Sequence, residues 1–148
     1  MQRRRFASIA ILMALALVAS ACAGGGSAPA GTKVKIVSSL PLTGPSLAQT
    51  QTIVNAIKMA LEEVNYKVGN VEIEYEALDD ATPAKQSWDG AKEAENGRKA
   101  VGDSKIVAYI GTYNSGAAQV SIPILCAANM AMISPANTYP RLTKAGKG

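Results

Sequence analysis

The chain contains no histidine among its 148 residues. The commonest general base near neutral pH is therefore missing, and with it go Ser-His-Asp and Cys-His catalysis and every histidine-containing metal site. Cysteine is scarce as well. Cys22 and Cys126 are the only two, too few for a disulfide framework or a four-thiolate zinc site. A strong excess of one charge sign is also lacking once position is considered. The whole chain carries 15 Lys+Arg against 11 Asp+Glu, but Arg3, Arg4 and Arg5 precede anything that could fold. Residues 1–21 contain no acid, and without them the balance is 12 basic to 11 acidic residues. A nearly neutral body gives no support to nucleic-acid binding. A long hydrophobic run is lacking too: residues 6–18 are apolar apart from Ser8, and such a run rises only about 20 Å as a helix against a hydrocarbon core of roughly 30 Å, which disfavours the alternative of a transmembrane anchor.

What is present begins with an address. The three arginines, the apolar run and then Ala19-Ser20-Ala21-Cys22 follow the basic, apolar, small-residue order of a cleaved secretory signal over residues 1–21. The small residues before Cys22 resemble a bacterial lipoprotein box. That resemblance implies that Cys22 receives a diacylglyceryl group and becomes the mature N-terminus, although Ala19 replaces the larger aliphatic residue usual three places before the cysteine. Ordinary secretion, with Cys22 a bystander, is the alternative. Residues 22–32 are small and uncharged through Gly31, cannot bury enough apolar surface to order themselves, and read as a flexible tether.

From residue 33 onward strand and helix patterns alternate. Residues 33–39 (KVKIVSS) form a β-rich run that stops where Pro41, Gly44 and Pro45 break the chain. Between Thr50 and Asn65, the apolar residues Ile53, Ile57, Ala60, Leu61 and Val64 recur at helical spacing and predict one buried stripe. Gly69-Asn70 supplies a turn. Val71, Ile73, Tyr75 and Ala77 then alternate with Glu72, Glu74 and Glu76, the pattern of an edge strand with one buried and one acidic, solvated face. Thr82 as N-cap and Pro83 at the first helical position predict a second helix running to about Val101, with Ala84, Trp88, Ala91 and Ala94 on its apolar face. Gly90 and Gly97 weaken it by roughly 1 kcal/mol each. Residues 106–110 are almost continuously apolar, as in a central strand buried on both faces. A third helix from about Ser115 to Ala128 contains Pro123, which should kink or shorten it. Residues 131–134 make a fourth strand. The βαβαβαβ order predicts an open parallel sheet with helices on both faces.

In such a sheet, ligands bind beyond the carboxyl ends of the strands. The loops there are 40–48, 112–116 and 135–138. In GTYNSG, Ser115 opens a helix whose free N–H groups would hold a carboxylate or phosphate; capping of its own helix is the equally weighted alternative. The loop lacks the Gly-Lys-Ser/Thr of a P-loop and the spacing of a dinucleotide fingerprint. The carbonyl of Ala136 and the hydroxyl of Thr138 could accept from an ammonium group nearby, so the two loops together suit a zwitterion. A helix N-cap before Pro140 is the competing role for Thr138. Asp79-Asp80 and the three alternating glutamates lack calcium-loop spacing and read as solvated carboxylates. Cys126, with no histidine to activate it, reads as a buried small residue, and Trp88 as a packing residue.

Taken in order, Pro41-Leu42-Thr43-Gly44-Pro45, the strand ending in Asp79-Asp80 with Pro83 and Gln86 beyond it, Gly111-Thr112-Tyr113-Asn114-Ser115, and Ile133-Ser134-Pro135-Ala136-Asn137-Thr138 ahead of Pro140-Arg141-Leu142-Thr143 resemble the leucine/isoleucine/valine-binding protein family. These are type I periplasmic solute-binding proteins of branched-chain amino-acid ABC transporters. The resemblance covers residues 33–148 and implies the first part of one lobe, with strand order 2-1-3-4. It implies that Ser115 binds the α-carboxylate of an amino acid, and that Ala136 and Thr138 contact its ammonium and carboxylate groups. Asn114 and Asn137, beside them, and Leu47, in the loop after the first strand that faces the ligand in this family, are implied as further ligand-binding residues, although that loop lacks the aromatic residue some members carry. A disulfide of some members would fall near Ala81 and Asn114 and has no cysteines here.

The implied protein is an extracytoplasmic, lipid-anchored binding component that captures an amino acid and presents it to a membrane permease. It implies no catalysed reaction, no cofactor, no metal and no nucleic-acid partner. Because a second lobe closes over the ligand in this family, residues 33–148 alone are expected to bind weakly. A sensory ligand-binding domain of the same architecture and, less favoured, a small flavodoxin-like enzyme are the alternatives.

Overall fold

The computed structural model describes residues 31–144. The expected signal peptide, Cys22 and most of the expected tether lie outside the described residues. Strand β1 (Thr32–Leu40) runs from exposed Thr32 and Lys33 to Val37, Ser38, Ser39 and Leu40, which have no exposed surface. Burial therefore deepens toward the carboxyl end of the strand. Helix α1 (Leu47–Glu63) follows, and a two-residue strand β2 (Lys67–Val68) turns through Gly69-Asn70 into β3 (Val71–Asp79). A small hairpin, β4 (Ala81–Thr82) and β5 (Ser87–Trp88), precedes helix α2 (Gly90–Gly102). Strand β6 (Ile106–Gly111), helix α3 (Ser115–Ala127), strand β7 (Ala131–Ile133) and a 3-10 turn (Pro140–Thr143) complete the described chain.

The main sheet has the order β2-β3-β1-β6-β7, with every pair parallel except β2 and β3. Apart from the short β2 at its rim, this is the expected 2-1-3-4 order. Right-handed crossovers then place α1 on one face and α2 with α3 on the other. The core lies on the second face, where Val37, Leu78, Ala100, Ile106, Tyr109 and Leu125 cluster and Val101, Met130 and Met132 pack against them.

Several local expectations give way. The second helix begins at Gly90, because the Asp89 carboxylate accepts from the N–H groups of Ala91 and Lys92 at 2.8 and 3.1 Å, a stronger cap than a hydroxyl. Thr82 instead opens the hairpin turn, its carbonyl accepting from Gln86 N–H at 2.8 Å. The buried face of α2 is Glu93, Asn96, Gly97 and Ala100, not the expected alanine stripe, because the sheet beneath offers hydroxyl partners. In α1 the buried line is Thr50, Val54 and Leu61, while Ala60 and Val64 stand exposed.

Strand β6 is not buried on both faces. Its register against β1 slips between Lys35 and Ile36, and Val107 at the irregularity is 48% exposed. Ile133 of β7 is 68% exposed. The alternating glutamates of β3 are not simply solvated either. Glu72 pairs with Lys33 at 3.2 Å, and Glu76 pairs with Lys35 and with Lys99 of α2. Helix α3 runs through Pro123 without a break in its assignment. Cys126 is exposed rather than buried.

Candidate ligand-binding site

The carboxyl ends of β1, β3 and β6 deliver three loops to one end of the sheet, and the loop after β7 joins them. Asp79 organises the first two. Its carboxylate accepts from Leu42 N–H at 2.8 Å, Thr43 Oγ1 at 2.7 Å and Ala81 N–H at 2.8 Å, so it is a loop tie rather than a solvated charge. Beneath it, Asp80 and Glu93 have no exposed surface. Glu93 accepts from Ser39 Oγ at 2.6 Å and Tyr109 Oη at 2.8 Å, and Asn96 donates to Ser39 Oγ and to the Asp79 carbonyl. Burial raises the pKa of Glu93 against the opposing effect of the Ser39, Ser121 and Tyr109 hydroxyls.

The third loop leads into α3. Asn114 is the N-cap residue, in extended conformation and without a side-chain capping bond. Ser115 is thus the first helical residue, not the cap. The Ala118 N–H makes the first helical bond, to the Asn114 carbonyl at 3.1 Å, which leaves the N–H groups of Ser115, Gly116 and Ala117 outside the helical ladder. Rather than capping its own helix, the Ser115 hydroxyl accepts from Thr138 N–H at 3.3 Å.

The loop after β7 is fastened to the same turn. Ser134 Oγ donates to the Thr112 carbonyl at 3.1 Å and accepts from Asn137 N–H at 2.9 Å. Asn137 Nδ2 donates to the carbonyls of Thr112 and Tyr113 at 3.1 and 3.3 Å. The side chain of Asn137 is therefore spent on holding the two loops together. Thr138 is not a helix cap, since Tyr139 occupies the N-cap position of the 3-10 turn. The Ala136 N–H donates to Ser134 Oγ at 3.3 Å. Leu47, the first residue of α1, is 41% exposed. Tyr113 Oη donates to Gln49 Oε1 at 2.6 Å and ties α1 to the Ser115 loop.

A cavity of about 390 Å³ lies at this junction, lined by Ser115, Gly116, Gln119 and Tyr139. A larger one of about 420 Å³, lined mainly by apolar residues such as Leu125, Met130, Met132 and Leu142, opens between α3, β7 and the 3-10 turn. The smaller cavity is the one where helix N–H groups and a hydroxyl converge. Sequence reasoning missed Gln119 and Tyr139. Gln119 is detectable in principle, because it stands one helical turn after Ser115.

A family model described as periplasmic binding protein matches residues 33–147. The chain belongs to the periplasmic binding protein family. Its members are solute-binding proteins, not enzymes, and the flavodoxin-like enzyme reading falls with that. Among periplasmic binding protein relatives, a Leu/Ile/Val-binding protein, BraC3 of Rhizobium johnstonii, is 34% identical over 108 residues, covering 72% of this chain and 28% of the relative. The leucine binding protein LivK of Thermotoga maritima superposes with a TM-score of 0.65 at 28% identity, over 76% of this chain and 30% of that one. LivJ of Streptococcus pneumoniae, a branched-chain amino acid transporter substrate binding protein solved with isoleucine, gives 0.66 at 24% identity over 76% and 31%. The chain thus spans less than a third of the length of these relatives.

Proposed function

We propose that the chain is part of the extracytoplasmic binding component of an ABC importer for branched-chain or related amino acids. The observation that carries this reading is the union of Ser115, at the open N-terminus of α3, with the backbone of Thr138 through a single hydrogen bond. The free amides and the Ser115 hydroxyl receive the α-carboxylate, while the Ala136 carbonyl and the Thr138 hydroxyl accept from the α-ammonium group. Asn137 holds the two loops together, Asn114 precedes Ser115 with its buried Oδ1 unpartnered among the described residues, and Leu47 flanks the cleft. Positive partial charge at a helix N-terminus favours an anion, and the relatives named for leucine, isoleucine and valine support an amino acid as its bearer. The permease would receive the loaded protein.

The test is titration of the 15N-labelled chain with L-leucine, isovalerate and isopentylamine. Leucine should move the amide resonances of Ser115, Gly116 and Thr138; isovalerate, which keeps only the carboxylate, should move the first two. Ser115→Ala removes a hydrogen bond to a charged group, about 1.5–3 kcal/mol, and should weaken leucine binding at least about tenfold. Leucine leaving all three resonances in place would refute the assignment.

Anchoring through Cys22 is part of the same proposal and rests on Ala19-Ser20-Ala21-Cys22. Cells fed radiolabelled palmitate should label the protein, and Cys22→Ser should abolish the label and release the protein from membranes. Undiminished labelling of that variant would exclude Cys22 as the acceptor.

A further inference from the structure

Trp88 is the only tryptophan of the chain, and its six-membered ring lies on the first turn of α3. A Cβ built at Gly116 would stand 2.6 Å from Trp88 Cζ2 and 2.9 Å from Cη2. Real Cβ atoms do not approach that closely, so only a residue without a side chain fits beneath the ring. Gly116 follows Ser115 directly and lines the same cavity.

The hairpin that carries Trp88 is itself held at two further points. Asp89 N–H, next to Trp88, donates to the Asp80 carbonyl at 2.7 Å at the end of β3. At the hairpin tip, the Gln86 carbonyl oxygen occupies the space that a Cβ at Gly44 would need, 2.1 Å away, and Gly44 has φ +90°. One short hairpin therefore touches the loops that follow β1, β3 and β6.

We propose that Trp88 is a positioning residue for ligand binding: through its contact with Gly116 it fixes the first turn of α3, and with it the Ser115 hydroxyl and the amides that meet an anion. The inference rests on the amino-acid-binding reading for its ligand, but the brace itself is independent of which anion binds. The physical reason is that this turn lacks a side-chain cap at Asn114. A first turn with unpaired N–H groups and no cap frays, and an anion that must first order it binds more weakly. The indole ring does the ordering that a capping side chain does elsewhere.

Two measurements on the 148-residue chain test this, in the wild type and in Trp88→Ala, Trp88→Phe and Gly116→Ala. The first is 15N relaxation of the Ser115, Gly116 and Ala117 amides without ligand. The second is L-leucine titration followed at those amides, with Trp88 emission as a direct signal in the wild type and in Ser115→Ala. Trp88→Ala should mobilise the three amides and weaken the leucine response about tenfold, Trp88→Phe should restore most of both, and leucine should change Trp88 emission in the wild type but not in Ser115→Ala. Gly116→Ala should expose Trp88 and red-shift its emission. Unchanged amide order in Trp88→Ala, or a leucine response present in the wild type and equally strong in Trp88→Ala, would overturn the proposal. Leucine silence in the wild type together with mobilised amides in Trp88→Ala would remove the amino-acid reading and leave the brace standing. If Trp88→Ala does not fold, Trp88→Leu, whose side chain fills space in the hairpin but is too short to lie over Gly116, carries the comparison with the same expected and overturning results.

Discussion

Asp80 has no exposed surface, and neither of its carboxylate oxygens has a hydrogen-bond partner among the described residues. Burial pushes its pKa up to about 7, and the charges of Glu93 and Asp79 add to the rise. In an unfolded chain the same group titrates near its ordinary value of about 3.9. Between about pH 4 and pH 7 the folded chain therefore holds a proton that the unfolded chain releases, so stability falls as pH rises through that window and levels off above it. The rise from about 3.9 to about 7 corresponds to roughly 4 kcal/mol as an upper bound. Asp80→Asn should flatten most of this slope, gaining stability near about pH 8 and little near about pH 4.5. Glu93, whose carboxyl burial also raises, keeps a slope of the same sign. Urea unfolding midpoints across the range would show it, and an unaltered slope in the variant would refute the role of Asp80. None of this was legible in the local sequence. Adjacent aspartates after a strand look solvated, and what decides otherwise is Glu93 with its Ser39 and Tyr109 partners, 54 and 16 residues from it along the chain.

At the scale of the element, glycines separate by what stands above them. Gly97 lies mid-helix in α2, facing α3, and a Cβ there would meet Ile124 at 3.5–3.8 Å, ordinary van der Waals contact. Gly97→Ala should therefore stabilise the chain by about 0.5–1 kcal/mol through the unfolded state and the better helix former. Thermal unfolding would register this as a higher midpoint, and a lower one would mean that α2 and α3 pack too closely for a methyl group. Gly116 is the opposite case, filled by Trp88. Strands were the readable elements: β1, β3, β6 and β7 fall where β-rich runs and turn residues put them, and their parallel order follows from the intervening helices. The start of α2 was not readable, because Thr82-Pro83 and Asp89-Gly90 both offer helix starts. The choice depends on Trp88 finding Gly116 and Asp89 finding Asp80, contacts that join separate parts of the fold. The α1 stripe slipped for a related reason: Thr50 is buried because its hydroxyl donates to the Pro41 carbonyl at 2.7 Å, and a count of apolar residues passes over it.

At the scale of the whole molecule, the described residues leave the cavity beside Ser115 open to solvent. Ligand pockets of high affinity enclose most of a small molecule's surface, whereas the cavity at Ser115 is bounded by Ser115, Gly116, Gln119 and Tyr139 alone. Two or three charge-assisted hydrogen bonds at about 1.5–3 kcal/mol each are available to a carboxylate. Toward the favourable end of that range, where three bonds supply about 8 kcal/mol, the cost of at least about 4 kcal/mol for lost translational and rotational freedom leaves about −4 kcal/mol, a dissociation constant no tighter than the order of 1 mM. The 148-residue chain should therefore bind L-leucine in the millimolar range, visible as fast-exchange shifts at Ser115 and Gly116 and nearly silent in calorimetry. Closure of a second wall would change the arithmetic without changing this one, because enclosing the side chain adds apolar burial at about 25 cal/mol per Å² to a carboxylate site already in place. A micromolar isotherm for the chain as it stands would mean that Leu47, Gln119 and Tyr139 enclose far more of the ligand than their placement at the open end of the sheet allows.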